Sequence, residues 1–189
     1  MSQLMTASGY DEDDDDGIYY PESDGEILGE STRQINCVID LFNAFQALFF
    51  NRNDVFIATI LLWYPVKGKQ IICTSPDVMI AFGRPPGDRS SYQQWKEGGI
   101  PFQIVFEITS PSNNPPEMAK KFDFYERYGV EEYYIYDPDE NSFEGWIRKG
   151  SKLVPIKKLH THVRASAHSS SPLNNPLPTK NTPQNHRGF

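Results

Sequence analysis

A single α/β domain, with strands gathered into one sheet and helices packed on it, is the fold class this sequence predicts, and three observations carry it. Short runs of branched and aromatic residues recur through the middle of the chain, two segments repeat apolar residues at helical spacing, and both ends lack either pattern. At 189 residues the chain suits one core, because domains of ~100 to 200 residues bury enough surface to hold together without staples.

Residues 1–17 are polar and rich in Gly and Asp, too poor in apolar groups to offset the entropy of ordering, and are predicted to be a disordered acidic tail. Residues 18–159 form the predicted domain, opening with a short strand and turn over 18–30. Ser31 and Gln34 have the spacing of a capping box, and Ile35, Val38, Ile39, Phe42, Phe45 and Phe49 then recur every three or four residues. This predicts a first helix with one buried face. Residues 55–64, 70–74, 77–82 and 102–109 read as strands, and 84–99 as a long polar connection. Pro115 and Pro116 precede a second helix over 117–128, which Gly129 stops. Residues 131–137 and 143–148 read as a strand pair about an Asp-Pro-Asp-Glu-Asn turn, with a further short strand near 152–157. Residues 160–189 are mostly Ser, Pro, Asn, Thr and His, and no fixed structure is expected there.

Composition excludes several chemistries. The net charge is −7, but residues 11–16 supply six consecutive acidic groups, without which it is −1. A nucleic-acid reading must therefore rest on a local site rather than on bulk charge. All four histidines, His160, His162, His168 and His186, fall in the tail, so a His-based triad or metal centre in the domain is excluded. Cys37 and Cys73 read as small buried hydrophobes, and the absence of a leader or membrane-spanning run makes a cytoplasmic protein with reduced thiols the expectation.

What remains for chemistry is carboxylates, Lys and Tyr. Glu107 sits in the strand-like run IVFEIT, where it is either a partly buried acid that needs a partner or an edge residue facing water. Asp77 opens the run PDVMIAF, where Asp after Pro is also a common turn device. Two carboxylates on neighbouring strands can hold Mg²⁺ and leave positions for water and phosphate. On the second helix Met118, Phe122 and Tyr125 form the apolar stripe; Lys121 lies at its edge and Lys120 points away. Lys121 thus either reaches the sheet or pairs on the surface with Glu117. Arg84, Arg89 and Lys96, interleaved with Tyr92 and Trp95, read either as DNA contacts or as an ordinary solvated connection. Tyr133, Tyr134, Tyr136 and Trp146 read as packing.

The segments SPDVMIAFG, VFEITSPSNN and EMAKKFDFYERYGVEEYYIYDP, with YPESDGEILGES ahead of the first helix, resemble the Uma-two family, a restriction-endonuclease-like branch of the PD-(D/E)XK superfamily, over about residues 20–159. The resemblance implies a mixed central β-sheet flanked by helices, with Asp77 as the motif's Asp and Glu107 as its second carboxylate. The superfamily lysine two residues after that carboxylate is Thr109 here, and Lys121, in a Lys-x-x-x-Tyr pattern with Tyr125, is the matching position. Glu30 matches an acid that many members add as a further ligand. The implied cofactor is Mg²⁺, or Mn²⁺ in its place, held by Asp77, Glu107, the Ile108 carbonyl and Glu30; the implied substrate is DNA, and a homodimer is allowed. Family members continue past the last matched strand with another apolar segment, so the turn to a polar tail at His160 leads to the expectation that closing elements are missing. Metal-dependent hydrolysis of DNA phosphodiesters is the function implied, with an inactive nuclease-fold domain that binds nucleic acid or protein as the alternative.

Overall fold

The computed structural model describes residues 17–22, 31–109 and 114–157. The acidic tail before Gly17, Glu30 and the C-terminal tail lie outside the described residues. In chain order the elements are α1 (Thr32–Leu48), β1 (Val55–Ala58), β2 (Trp63–Tyr64), β3 (Val78–Phe82), β4 (Tyr92–Gln93), β5 (Ile104–Ile108), α2 (Pro115–Tyr128), β6 (Glu132–Asp137), β7 (Ser142–Lys149) and β8 (Lys152–Pro155). No helix among the described residues is long and apolar enough to cross a membrane.

Six strands form one mixed sheet in the order β1-β3-β5-β6-β7-β8. All neighbours are antiparallel except β5 and β6, which α2 connects as a parallel pair. The helices lie on opposite faces. Val78, Phe106 and Ile108 pack with Val38 of α1, whereas Met79, Val105 and Tyr133 pack with Tyr125 of α2. Strand β3 is therefore covered on both sides, which is why its sequence is a continuous apolar run rather than an alternating one.

Several expectations need correction. Residues 55–64 are two strands, because the chain breaks at Ile60, a β-branched residue at φ 50°, and Trp63–Tyr64 leaves the main sheet to pair in parallel with β4. Residues 70–74 are not a strand: Thr74 makes a lone bridge to Trp63, and Ile71 is 89% exposed. The face that α1 lays on the sheet holds Gln34, Val38, Leu41, Phe42, Phe45 and Phe49, so Val38, Phe42, Phe45 and Phe49 pack as expected, while Ile35 and Ile39 are exposed. One polar residue, Gln34, is buried there.

The connection over 84–99 is also not a free basic surface. Arg89 lies 3.8 Å above the Phe56 ring and pairs with Glu97 at 2.6 Å, and Arg84 pairs with the same carboxylate at 3.2 Å. Tyr92 is fully buried against Phe102 at 4.1 Å, with its hydroxyl donating to the Ile100 carbonyl, and Trp95 packs on Tyr20. These groups fold the loop instead of presenting themselves to DNA. Tyr133 stacks on Trp146 across the β6–β7 pair, and Tyr134 on Phe143, so the aromatic strand is packing.

Arg148 on β7 fixes the end of α2. Its Nε donates to the Val130 carbonyl at 2.7 Å and its Nη2 to those of Tyr125 and Glu126 at 3.2 and 2.8 Å, where Gly129 (φ 100°) ends the helix; the Tyr125 carbonyl also accepts from the Gly129 and Val130 N–H groups. Replacing a charged donor at such a position removes several hydrogen bonds at once. Arg148→Met is expected to lower unfolding free energy by about 2 kcal/mol in urea titrations, while Lys149→Met on the exposed side of the same strand changes it by less than about 0.5 kcal/mol.

Candidate active site

The antiparallel register of β3 and β5 places Val78 opposite Phe106, and so carries Asp77, one residue outside the ladder, to the position opposite Glu107 on the same face. Asp77 accepts a hydrogen bond at Oδ2 from the Ile108 N–H at 2.6 Å. Glu107 is 2% exposed, so the edge-strand reading does not hold. A carboxylate this far from water requires partners.

Both come from α2. Lys121 Nζ lies 2.9 Å from Glu107 Oε2, and the Tyr125 hydroxyl, one helical turn further on, donates to Oε1. A spacing of four residues puts the two side chains on one face, over the same strand position. Thr74 bonds the Tyr125 hydroxyl in turn. Lys121 thus reaches the sheet, and Lys120 is exposed.

From the other face, α1 contributes Gln34. The Ser31 hydroxyl accepts from the Gln34 backbone N–H at 3.2 Å, which is half of the expected capping box. The other half is absent: the Gln34 side chain is buried and its Nε2 donates to the Ile108 carbonyl at 2.7 Å. Ile108 is therefore held through both backbone groups, by Asp77 at N–H and by Gln34 at C=O. Asp77, Glu107, Lys121 and Ile108 are brought together; Glu30 lies outside the described residues. Gln34 and Tyr125 were not singled out as site residues from the sequence. The available signals were a lone amide at 34 on the stripe continued by Val38, Leu41 and Phe45, and a tyrosine one turn after Lys121.

The electrostatics follow from burial. Desolvation pushes the Glu107 carboxyl up to about 7, against the pull of Lys121 and with a further push from Asp77. Desolvation also raises Asp77, partly offset by the Ile108 N–H and by Lys121. Burial works against the Lys121 ammonium, but the charge and hydrogen bond of Glu107, with Asp77 behind it, outweigh that and its pKa is raised. A buried acid and a half-buried one thus face one cation, a deficit that a proton on Glu107 or an added cation would fill.

Two carboxylates and a peptide carbonyl are hard oxygen donors of the kind that Mg²⁺ and Mn²⁺ take. Among the described residues no third acid, His or Cys joins them. The Gln34 Oε1 and the Tyr133 hydroxyl are buried without a hydrogen-bond partner among the described residues, so the site has polar capacity beyond its own contacts. The donor set fits a divalent ion.

The raised Glu107 pKa has a consequence for stability. The folded state holds this proton more tightly than the unfolded chain, whose carboxyl titrates near 4.5, so rising pH removes stability as it passes from the unfolded value through about 7. Without added metal, the wild type is expected to lose on the order of 3 kcal/mol relative to Glu107→Gln between pH 5 and pH 8. Urea unfolding of both proteins at the two pH values measures this, and a pH-independent difference would show Glu107 ionised throughout.

The family model "Uma2: Putative restriction endonuclease" matches residues 10–171. No curated protein matches the sequence. Among solved structures, a putative nuclease belonging to DUF820 from Anabaena variabilis superposes with a TM-score of 0.51 at 12% identity, over 67% of this chain and 68% of that one. That likeness is one of fold. With the family model spanning most of its length, the chain belongs to the Uma2 family of restriction-endonuclease-like proteins.

Proposed function

We propose that this protein is a Mg²⁺-dependent endonuclease that hydrolyses phosphodiester bonds in DNA, with Mn²⁺ able to replace Mg²⁺. The observation that supports this best is the convergence of Asp77, Glu107 and Lys121 about the end of β5, in a family described as nuclease-like. Asp77, Glu107 and the Ile108 carbonyl would hold the ion. When bound, Mg²⁺ supplies Lewis-acid polarisation of the phosphate and a water of lowered pKa. Lys121, with N–H groups to spare beyond its bond to Glu107, orients the attacking water and stabilises negative charge developing on the phosphate. Tyr125 positions Glu107 by fixing Oε1, and Glu107 would have to be ionised to hold a cation, which rising pH through about 7 favours. No disulfide joins Cys37 and Cys73, which accords with a reducing cytoplasm.

A second reading, an inactive nuclease-fold domain that binds nucleic acid or protein, is favoured by one observation: both Glu107 oxygens already have protein partners. Nicking of supercoiled circular DNA in Mg²⁺ or Mn²⁺ separates the two. Asp77→Asn, Glu107→Gln and Lys121→Met are each expected to lower the nicking rate by at least ~100-fold while remaining folded. Metal-independent nicking, or nicking unchanged in all three, contradicts the enzymatic reading; DNA retention without cleavage in any metal supports the second.

A further inference from the structure

A cleft of about 800 Å³ opens between α2, the loop before β3 and the β7–β8 hairpin, and neither Lys121 nor Glu107 lines it. That is the scale of a site for an organic ligand or a short chain segment rather than for an ion. Its charged lining is four cations, Lys120, Arg127, Arg148 and Lys152, against two acids, Asp123 and Glu126. Glu126 is taken by Lys152 Nζ at 2.6 Å and the Leu153 N–H at 3.0 Å, and Arg148 by the carbonyls at the end of α2. Lys120 and Arg127 are exposed and have no hydrogen bond or ion pair among the described residues. Two helical turns apart, they share one face about 10 Å apart along the axis, with Asp123 between them.

The chain's own acidic run is tethered beside this cleft. Asp11–Asp16, six consecutive acids, lead directly into Gly17 and Ile18. Ile18 and Cys73 pack on the same cluster of Tyr20, Leu62 and Tyr64, and Cys73 lines the cleft. Ile18 also lies beside Gly68, whose N–H donates to the Tyr20 hydroxyl and which stands between the exposed Lys67 and Lys69. Six extended residues reach about 20 Å, twice the axial spacing of Lys120 and Arg127. Six adjacent like charges repel one another, and unpaired cations nearby offset that repulsion.

We propose that the acidic run Asp11–Asp16 docks in this cleft as an intramolecular occupant and shields its cations, Lys120 and Arg127 above all, from polyanions in solution. The proposal goes beyond the metal-dependent reading and does not rest on it, since neither a metal nor cleavage enters. Tethering holds the run at an effective concentration of order mM, so a weak contact suffices to keep the cleft occupied. The contact is electrostatic and open to solvent, so added salt releases it.

Zero-length carbodiimide coupling of the full-length protein at low salt, followed by peptide mass spectrometry, reads the contact directly, because it joins only carboxyls and amines that touch. Links from residues 11–16 to Lys67, Lys69, Lys120 or Lys152 of the same chain are expected. Their absence, their confinement to other lysines, or their formation only between two copies overturns the proposal. Anisotropy of fluorescein-labelled heparin reads the consequence. With Asp11, Asp13, Asp14, Asp15 and Asp16 changed to Asn and Glu12 to Gln, heparin affinity at low salt is expected to rise on the order of 10-fold. Adding Lys120→Ala and Arg127→Ala, at exposed positions and checked for folding by circular dichroism, is expected to abolish that rise. Adding Arg33→Ala and Arg52→Ala removes the same two charges from the α1 side and is expected to preserve it. A rise that survives the cleft substitutions, or that the α1-side pair removes equally, comes from net charge alone and overturns the proposal.

Discussion

A single desolvated carboxylate, Glu107, dictates what the elements around it must provide. Taking an ionised group out of water costs several kcal/mol unless charge and hydrogen bonds replace the solvent. Here the replacement comes entirely from α2, through the Lys121 ammonium and the Tyr125 hydroxyl. The helix must therefore lie at a fixed height and rotation over β5. Arg148 supports this from β7 by bonding the carbonyls at the helix C-terminus, and Tyr125 itself is packed between Trp63 and Tyr133.

The arrangement is not one that stability alone would favour. An apolar residue at 107 would pack in the same layer as Val105 and Met79 at no electrostatic cost. Instead that layer contains two acids whose pKa values are both raised, one ammonium, and a buried Tyr133 hydroxyl without a partner among the described residues, while the Gln34 amide oxygen is buried unpartnered on the opposite face. Perturbed acids and unmatched polar atoms gathered at one place are not what packing alone produces. The rest of the domain offsets this with an aromatic core, in which Trp63, Tyr92 and Phe102 are fully buried.

Family membership and site geometry bear on different properties of the protein. The Uma2 match fixes the family, and the likeness to the Anabaena variabilis structure bears on the fold alone. Neither specifies what Lys121 or Gln34 does, since one fold supports many activities and the site's chemistry has to be argued from its own atoms. Two neighbouring contacts illustrate this: the Thr109 hydroxyl lies against the Tyr136 carbonyl at 3.4 Å, while Lys121 reaches the Glu107 carboxylate from α2.

Local pattern by itself determined the two helices, with Ser31 capping one and Gly129 ending the other, the apolar strands β3 and β5, and the shared helix face of Lys121 and Tyr125. These are legible because each depends on residues a few positions apart, where 3.6-residue and two-residue periods hold. Only the tertiary structure decided the rest: the division of 55–64 between two sheets, the inward turn of Gln34, and the commitment of Arg84 and Arg89 to Glu97. It also decided that Ile108 meets Asp77 across 31 residues of chain and Gln34 across 74. The reason is that a side chain's partner is set by which strands and helices become neighbours, a property of the whole assembled sheet that no short window of sequence contains.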